Sequence, residues 1–496
     1  MINRYPIVFS SAFGRTLNLV IVLLLLPFNF LSAQNYQAIH GSMYAGSLSP
    51  ANNPAAVMHM PFKWHVTLFA LQLKHTTNAF KINDLSLLQF SPSKTTVTNT
   101  NGIKKRFLYA NQDIHLFNAS IKLNAKSAIS FGANIRNYIS ATVSESNWQD
   151  SIFSLAEFLS INTGHRPLSG RADGAAWAEL YGSYARNIID DGDHLLNAGV
   201  TVKVNRSLAG GYARAEGVQY VPAIDAGGRI NYLLTGGSLQ YGYSNNFDFI
   251  DSSQSFNYNS KNFLKRTYSS ISADIGVEYI QLSNMDEDEY KYDTKIGIAL
   301  MDLGSNRYRY SSNSRTAVAG KENITDGVLE DKFTSVRDIK SFNDSLASIA
   351  NAITGINGDF VMYQPTRLII NVDRRLKDDF YLNAELMLPV VQLAAKNSLH
   401  IKDMNLLAIT PRWETEKWGV YMPLLLNIRN QVWLGGAVKA GPVLLGIHNL
   451  ANIFSKTSIQ KGGFYLAVSI RPPATDGRTS AKLSKAERRK LDCPKF

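Results

Sequence analysis

From residue 64 onward the chain alternates between apolar and polar positions over stretches longer than ordinary strands. In "ISFGANIRNYISATV", residues 129–143, Ile129, Phe131, Ala133, Ile135, Ile139, Ala141 and Val143 share one face. Ser130, Gly132, Asn134, Arg136, Tyr138, Ser140 and Thr142 share the other, and Asn137 breaks the pattern. Leu196, Ala198, Val200, Val202 and Val204 oppose Asn197, Gly199, Thr201 and Lys203, and Ile271, Ala273, Ile275, Val277 and Tyr279 oppose Ser272, Asp274, Gly276 and Glu278. Phe117, Ala119, Ile121 and Leu123 oppose Asn118, Ser120 and Lys122, and Leu382, Ala384, Leu386 and Leu388 oppose Asn383 and Glu385. Strand side chains alternate with period two, so each stretch predicts a strand with one greasy and one polar face. Soluble strands average about 5–6 residues, whereas a membrane strand needs about 9–11 for the hydrocarbon alone. The pattern predicts an all-β fold, a transmembrane antiparallel β-barrel with apolar side chains toward lipid and polar ones toward the lumen. Tyr109, Tyr279, Trp433 and Phe464 near strand ends suit interfacial girdles.

Candidate strands fall at 64–75, 107–124, 127–145, 174–190, 193–208, 266–284, 289–311, 363–376, 378–392, 403–414, 417–429, 431–440, 441–454 and 462–471, which makes fourteen. Tight turns at 124–127, 190–193 and 285–288 read as periplasmic, and the long connections 146–173, 209–265 and 312–362 as extracellular. Residues 230–243, "INYLLTGGSLQYGY", read as a hairpin around Gly236-Gly237. It is either a surface hairpin or two further barrel strands, so sixteen is the alternative count.

The first 33 residues read as a signal peptide: Arg4 and Arg15, an apolar run from Leu19 to Leu26, then Leu31-Ser32-Ala33. The apolar run is short for a bilayer span, which takes about 20 residues. The only cysteine is Cys493, which leaves no disulfide framework and no cysteine metal site. The net charge is +12, and residues 471–496 alone carry eight basic side chains against three acidic ones. Export makes nucleic acid an unsuitable partner for that charge. Ser484 and Glu487 form a capping box before a basic stretch, so 472–496 reads as a basic periplasmic tail.

Candidate chemistry is sparse. The inferred lumen-facing charges are Lys122, Arg136, Lys203, Asp274, Glu278, Asp373 and Glu385. An open selective pore favours one sign, and this mixture reads as a paired network. Asp190-Asp191-Gly192-Asp193-His194 and Asp286-Glu287-Asp288-Glu289 read as turns rather than metal sites. There is no phosphate loop, zinc-protease motif or nucleophile elbow, so no catalytic residue, metal ligand or cofactor is assigned and the chain reads as non-enzymatic. Two outer stretches have helical spacing: Ile152, Leu155, Ala156 and Leu159 behind Asp150, and Phe342, Leu346, Ile349, Ala350 and Ile353. They read as lids on the barrel mouth or as docking surfaces for a protein partner at loops 146–173 and 312–362.

Three short motifs, in order, carry a resemblance: Asn53-Pro54-Ala55 within "SPANNPAA", Asp274-Ile275-Gly276 within "ISADIGVEY", and Asp302-Leu303-Gly304 within "IALMDLGS". Together they resemble an uncharacterised outer-membrane barrel family of the Bacteroidota, similar in architecture to PorV and FadL-like barrels, over about 34–470. The basic tail departs from it. FadL-like relatives have fourteen strands, which the resemblance implies here. Asn53 suits an N-cap and Pro54 the first helical position, so a short helix is predicted before Pro61. In FadL-like barrels the corresponding segment enters the lumen as a hatch, and Gly132, Gly199 and Gly276 leave room for it. The other reading lays it against the periplasmic rim. The organisation expected is a signal peptide (1–33), a hatch segment (34–63), an outer-membrane barrel of a Gram-negative bacterium (64–471) and the tail (472–496). The PorV likeness implies a structural or partner-binding role in secretion or surface attachment. The FadL likeness implies, as the alternative, passive transport of small hydrophobic molecules.

Overall fold

The computed structural model describes residues 37–83, 96–165, 167–251, 253–283, 290–390, 398–427, 431–454 and 458–474. The signal peptide, the 285–288 turn and the tail beyond 474 lie outside the described residues. Among these, fourteen antiparallel wall strands form a closed barrel. They are β1 (Trp64–Thr77), β2 (Gly102–Asn124), β3 (Ser127–Trp148), β4 (Leu168–Asp190), β5 (His194–Ile224), β6 (Ser269–Leu282) and β7 (Tyr292–Arg309). The wall continues with β8 (Arg367–Lys377), β9 (Phe380–Pro389), β10 (Leu406–Glu414), β11 (Trp418–Tyr421 and Leu424–Asn427), β12 (Val432–Leu434 and Gly436–Ala440), β13 (Val443–Ile447) and β14 (Lys461–Ile470). Sequential neighbours pair, and β14 closes on β1 from Val66↔Ile470 to Thr76↔Lys461. Closure leaves no unpaired edge, which the bilayer requires of a spanning sheet. Pro423 and Gly435 split β11 and β12, yet the Gly435 N–H donates to the Pro423 carbonyl at 2.8 Å, so the wall stays bonded across the break.

The two faces invert the soluble arrangement. Val200, Val202, Val204, Ile271, Ile275 and Val277 are exposed on the outside, while Thr201, Lys203, Asn205, Ser272, Asp274 and Glu278 are buried inside. Such a wall is suited to lipid as its outer solvent. Tyr279 keeps to the outer face, but Tyr109 and Trp433 are buried within an inner cluster with Phe107, Met387 and Met404. For Tyr109 the cause is a bulge in β2 between His115 and Phe117, which reverses the facing established by Phe117 and Ala119.

Short turns occupy one end of the barrel and long connections the other, which sets the second end outermost. Residues 230–243 are not a hairpin. They form one continuous strand that pairs with the upper half of β5, and Gly236-Gly237 sits at an irregularity in that pairing. Strands Arg315–Ala319 and Ala350–Gly355 extend the same outer sheet. Four outer helices accompany it: α1 (Leu155–Ile161), α2 (Phe256–Lys265), α3 (Asp326–Thr334) and α4 (Ile339–Ile349). Ser154, not Asp150, caps α1. α4 stops at Ile349 because Ala350 already begins a strand, so Ile353 belongs to the sheet rather than to a helical stripe.

Candidate functional site: a plugged lumen

Residues 37–62 fold back into the half of the barrel that carries the short turns. Their three short 3-10 segments are Gln37–Ile39, Met43–Ala51 and Pro54–His59. Pro50, Pro54 and Pro61 deny the segment a long helix. The Asn53 side chain caps the last turn, its Oδ1 accepting the Ala55 N–H at 2.9 Å. Asn53 Nδ2 also donates to the Val277 carbonyl of β6 at 3.0 Å. A β-carbon at Gly199 would lie 2.5 Å from the Pro54 carbonyl carbon, and one at Gly276 would collide with the Asn53 side chain. The two glycines are therefore the seat of the Asn53-Pro54-Ala55 turn. Gly132 is not part of that seat, since a β-carbon there would meet Asn118 and the Phe117 carbonyl of the neighbouring strand.

The plug carries no Asp, Glu, Lys or Arg from 37 to 62 and satisfies wall charges with neutral donors. Glu385 accepts from Asn52 Nδ2 at 3.1 Å and meets His40 Nδ1 at 2.9 Å. Glu414 accepts the Ser42 hydroxyl at 2.7 Å, and the Ser47 N–H donates to His65 Nδ1 at 3.1 Å. Apolar contacts fill the gaps. Val57 and Met58 pack on Ala128 and Ala185, and Met43 on Ile280, Tyr292 and Tyr381. Ala38, Ile39, Ala45 and Leu48 meet Tyr421, Leu444 and Tyr465.

Above the plug lies an ion-pair node centred on Asp302. Arg136 Nη1 approaches it at 2.6 Å, Lys203 Nζ at 2.7 Å and Arg367 Nη1 at 2.8 Å. Arg136 also reaches Asp113 at 3.0 Å, and Lys203 reaches Asp274 at 2.8 Å. Lys74 pairs with Asp403 at 2.7 Å beside it. Below, Arg412 donates to Glu414 at 2.9 Å and to Asp373 at 3.1 Å. Of the charges inferred from alternation, Arg136, Lys203 and Asp274 meet at the node. Asp373 and Glu385 lie lower, and Glu278 faces Lys295 at 3.8 Å. Lys122 stands apart, 4.6 Å from the Tyr290 ring centre.

Asp302 escaped the alternation argument. It lies where the β6–β7 register slips between Leu300 and Leu303, with φ of 59°. The bulge turns both Met301 and Asp302 inward, where strict alternation allows only one. An aspartate is one of the few residues to tolerate that backbone. Arg412 and Lys74 lie in regular alternation, Arg412 inward with Thr410 and Glu414 on β10 and Lys74 inward with Gln72 on β1, so the same signal marks them. Arg367 opens β8 and Asp403 precedes β10, where a period has no run in which to show itself.

The outer half of the lumen is different in kind. Tyr138, Trp177, Tyr212, Tyr308, Phe360 and Met362 form one buried inner cluster, with Tyr310 against it. Phe107, Tyr109, Met301, Met387, Met404 and Trp433 belong to a second. Between plug and node a cavity of about 50 Å³ remains, lined by Ser47, Pro50 and Ala51 from the plug and by Asn134, Glu179 and Thr201 from the wall. It has room for a few waters and no more. Among the described residues no group of three His, Cys, Asp or Glu side chains is placed to hold a metal.

No family model matches the chain, and no curated protein matches it. Solved structures do. The chain is similar to the toluene transporter TbuX of Ralstonia pickettii, at 12% identity over 86% of this chain and 94% of that one, with a TM-score of 0.39. It is similar to a Pseudomonas aeruginosa FadL homologue, at 10% identity over 89% and 99%, with a TM-score of 0.40. It is also similar to the toluene transporter TodX of Pseudomonas putida, at 9% identity over 86% and 93%, with a TM-score of 0.34.

Proposed function

We propose that the protein is a gated, passive channel of the Gram-negative outer membrane for small hydrophobic molecules. One observation carries the reading: the lumen is aromatic and methionine-lined at its outer end and stopped at its inner end by a neutral segment of the same chain. An aqueous pore has no use for an apolar inner surface. These side chains pack on one another in the closed barrel, and a hydrophobic solute that parts them meets apolar groups rather than charges. The plug is held by hydrogen bonds and small apolar contacts rather than by its own charges, so it can leave without stranding a charge of its own. Passage requires that it shift, because the remaining cavity is too small for a solute.

The partner-binding reading of loops 146–173 and 312–362 draws less support. Their apolar stripes are largely spent on each other and on the outer sheet: Leu155 and Leu159 pack with Tyr220 and Tyr232, and Leu346 and Ile349 with Tyr241 and Ala317.

Deletion of residues 47–60 tests the channel reading. In planar bilayers the deleted, folded protein should show a large rise in single-channel conductance. Vesicles carrying it should take up a radiolabelled aromatic hydrocarbon faster than vesicles carrying the full chain. Unchanged conductance and uptake in a protein that still migrates as a heat-modifiable barrel would defeat the reading.

A further inference from the structure

One apolar surface belongs to neither the lumen nor the outer sheet. The chain leaves the wall at Ser244 and rejoins it at Ser269, and the intervening segment lies on the outside of the barrel. Two hooks fix it there. The Ser207 N–H donates to the Tyr268 carbonyl at 2.9 Å. Arg206, which faces outward beyond Val202 and Val204, donates to the Leu264 carbonyl at 2.7 Å and to the Ser269 hydroxyl at 3.1 Å.

The height of the segment follows from the strands beneath it. Outward apolar residues on β6 run from Tyr279 up to Ile271. At about 3.4 Å per residue that is roughly 27 Å of strand, or about 20 Å along the membrane normal at a tilt near 40°. The apolar band of such barrels is about 25 Å tall. Ile271 therefore lies within about 5 Å of the band's outer edge. Its partner strand turns from Val204 to Arg206 at the next outward position, so the helix α2 held by Arg206 sits where acyl chains give way to headgroups.

Its side chains suit that depth. α2 leaves none of its residues buried. Phe256, Phe263 and Leu264 recur at i, i+7 and i+8, one face of a helix. Phe263 is held against Phe247 at 5.5 Å between ring centres. Phe256 and Leu264 point away from the protein, Phe256 at 83% exposure, and Ile250 is exposed just before the helix. Tyr258, Lys261 and Lys265 form the adjacent stripe at i, i+3 and i+7, followed by Arg266 over the Phe249 ring. The segment's two acids are engaged by neutral donors: Asp248 accepts from Tyr243 and Ser311, and Asp251 from Ser253. Among the described residues Lys261, Lys265 and Arg266 make no ion pair.

We infer that α2, with Ile250 and Arg266 beside it, is a lipid-binding element of the outer leaflet. Phe256, Leu264 and Ile250 enter the acyl boundary, and Lys261, Lys265 and Arg266 hold the phosphates of an anionic headgroup of the lipid A type. The apolar stripe continues the lipid-facing band of the wall, and the basic stripe complements phosphate, which together single out lipid over a protein partner. The inference rests on the barrel's place in the membrane and not on transport.

Spin labelling tests it in the full chain with Cys493→Ser. Nitroxides are attached at Phe256→Cys and, separately, at Tyr258→Cys, with Asp338→Cys as an aqueous reference. The proteins are reconstituted in phosphatidylcholine vesicles with and without lipid A, and heat-modifiable migration verifies folding. Labels at 256 and 258 should collide readily with oxygen and poorly with a water-soluble nickel chelate, the reverse of the label at 338. The double variant Lys261→Glu, Lys265→Glu should retain lipid A at least roughly tenfold less well than the parent through detergent exchange. Labels open to the nickel chelate in both vesicle types overturn the proposal. So do labels shielded from both reagents in detergent, which indicates a protein cover. Undiminished lipid A retention in the double variant overturns the assignment of the basic stripe.

Discussion

Asp302 shows how much one residue settles in this lumen. It is fully buried and faces Arg136, Lys203 and Arg367. Asp302→Asn leaves an excess of buried positive charge, and removing one partner of a buried pair costs about 3–5 kcal/mol. The variant should lose its compact form at a clearly lower temperature when heated in detergent, read as the shift from fast to slow gel migration. Asp378→Asn, at the other positive-φ aspartate in an exposed turn, should not. His59 offers a second test. Its ring is enclosed by the plug and the wall and packs against the rings of Tyr290 and Tyr292. Burial, and after it the charges of Lys295 and Lys122, hold this imidazole well below its ordinary value of 6.5. A base depressed in the closed state takes up its proton more readily when the plug is out. Plug closure is thus at full strength above the ordinary histidine value and weakens as pH falls below it. Open probability in bilayers should rise on acidification from about pH 7.5 to about pH 5, and His59→Phe should flatten that response. A wild-type channel indifferent to pH over this range would remove His59 from the gate.

At the scale of elements, the strands and the plug are specified by different means. A strand of this wall needs only alternation, so Val200→Arg or Ile275→Arg should block assembly by placing a charge in mid-membrane at a cost of about 2–4 kcal/mol. Ile224→Arg, on the part of β5 that rises above the band, should assemble normally, as judged by recovery of heat-modifiable protein from membranes. Arginine at Thr201 or Ser272 is no neutral comparison, because both are packed inside the wall. The plug depends on small residues meeting small residues. Gly276→Val should displace Asn53 and Pro54 and raise basal conductance without preventing barrel closure. Normal conductance in a folded Gly276→Val protein would show that the seat adapts and that this contact does not hold the plug.

For the molecule as a whole, closure of β14 on β1 and the apolar outer band give a body suited to the outer membrane. The protein should fractionate with outer membranes and run faster unboiled than boiled, and recovery in the soluble periplasm would contradict the barrel's setting. The strands themselves were readable from sequence because period-two alternation is a local property, imposed wherever one face meets lipid and the other does not. Alternation alone left fourteen or sixteen strands, and the resemblance to FadL-like barrels tipped the count to fourteen. The Asn53 cap and the short turn behind Pro54 were readable too, since capping and proline geometry are decided within a few residues. What the sequence left open was whatever depends on contact between distant segments. It offered both lumen and rim for residues 47–60, and only the fit of Pro54 over Gly199 and Asn53 over Gly276 places them inside. It read 230–243 as a hairpin, because Gly236-Gly237 is a turn signal unless a partner strand such as β5 holds it extended. It put Tyr109 outside and left Asp302 unplaced, because a bulge adds one residue to one strand and reverses every facing beyond it. The choice of where to bulge is made by the register of the neighbouring strand, which no local pattern records.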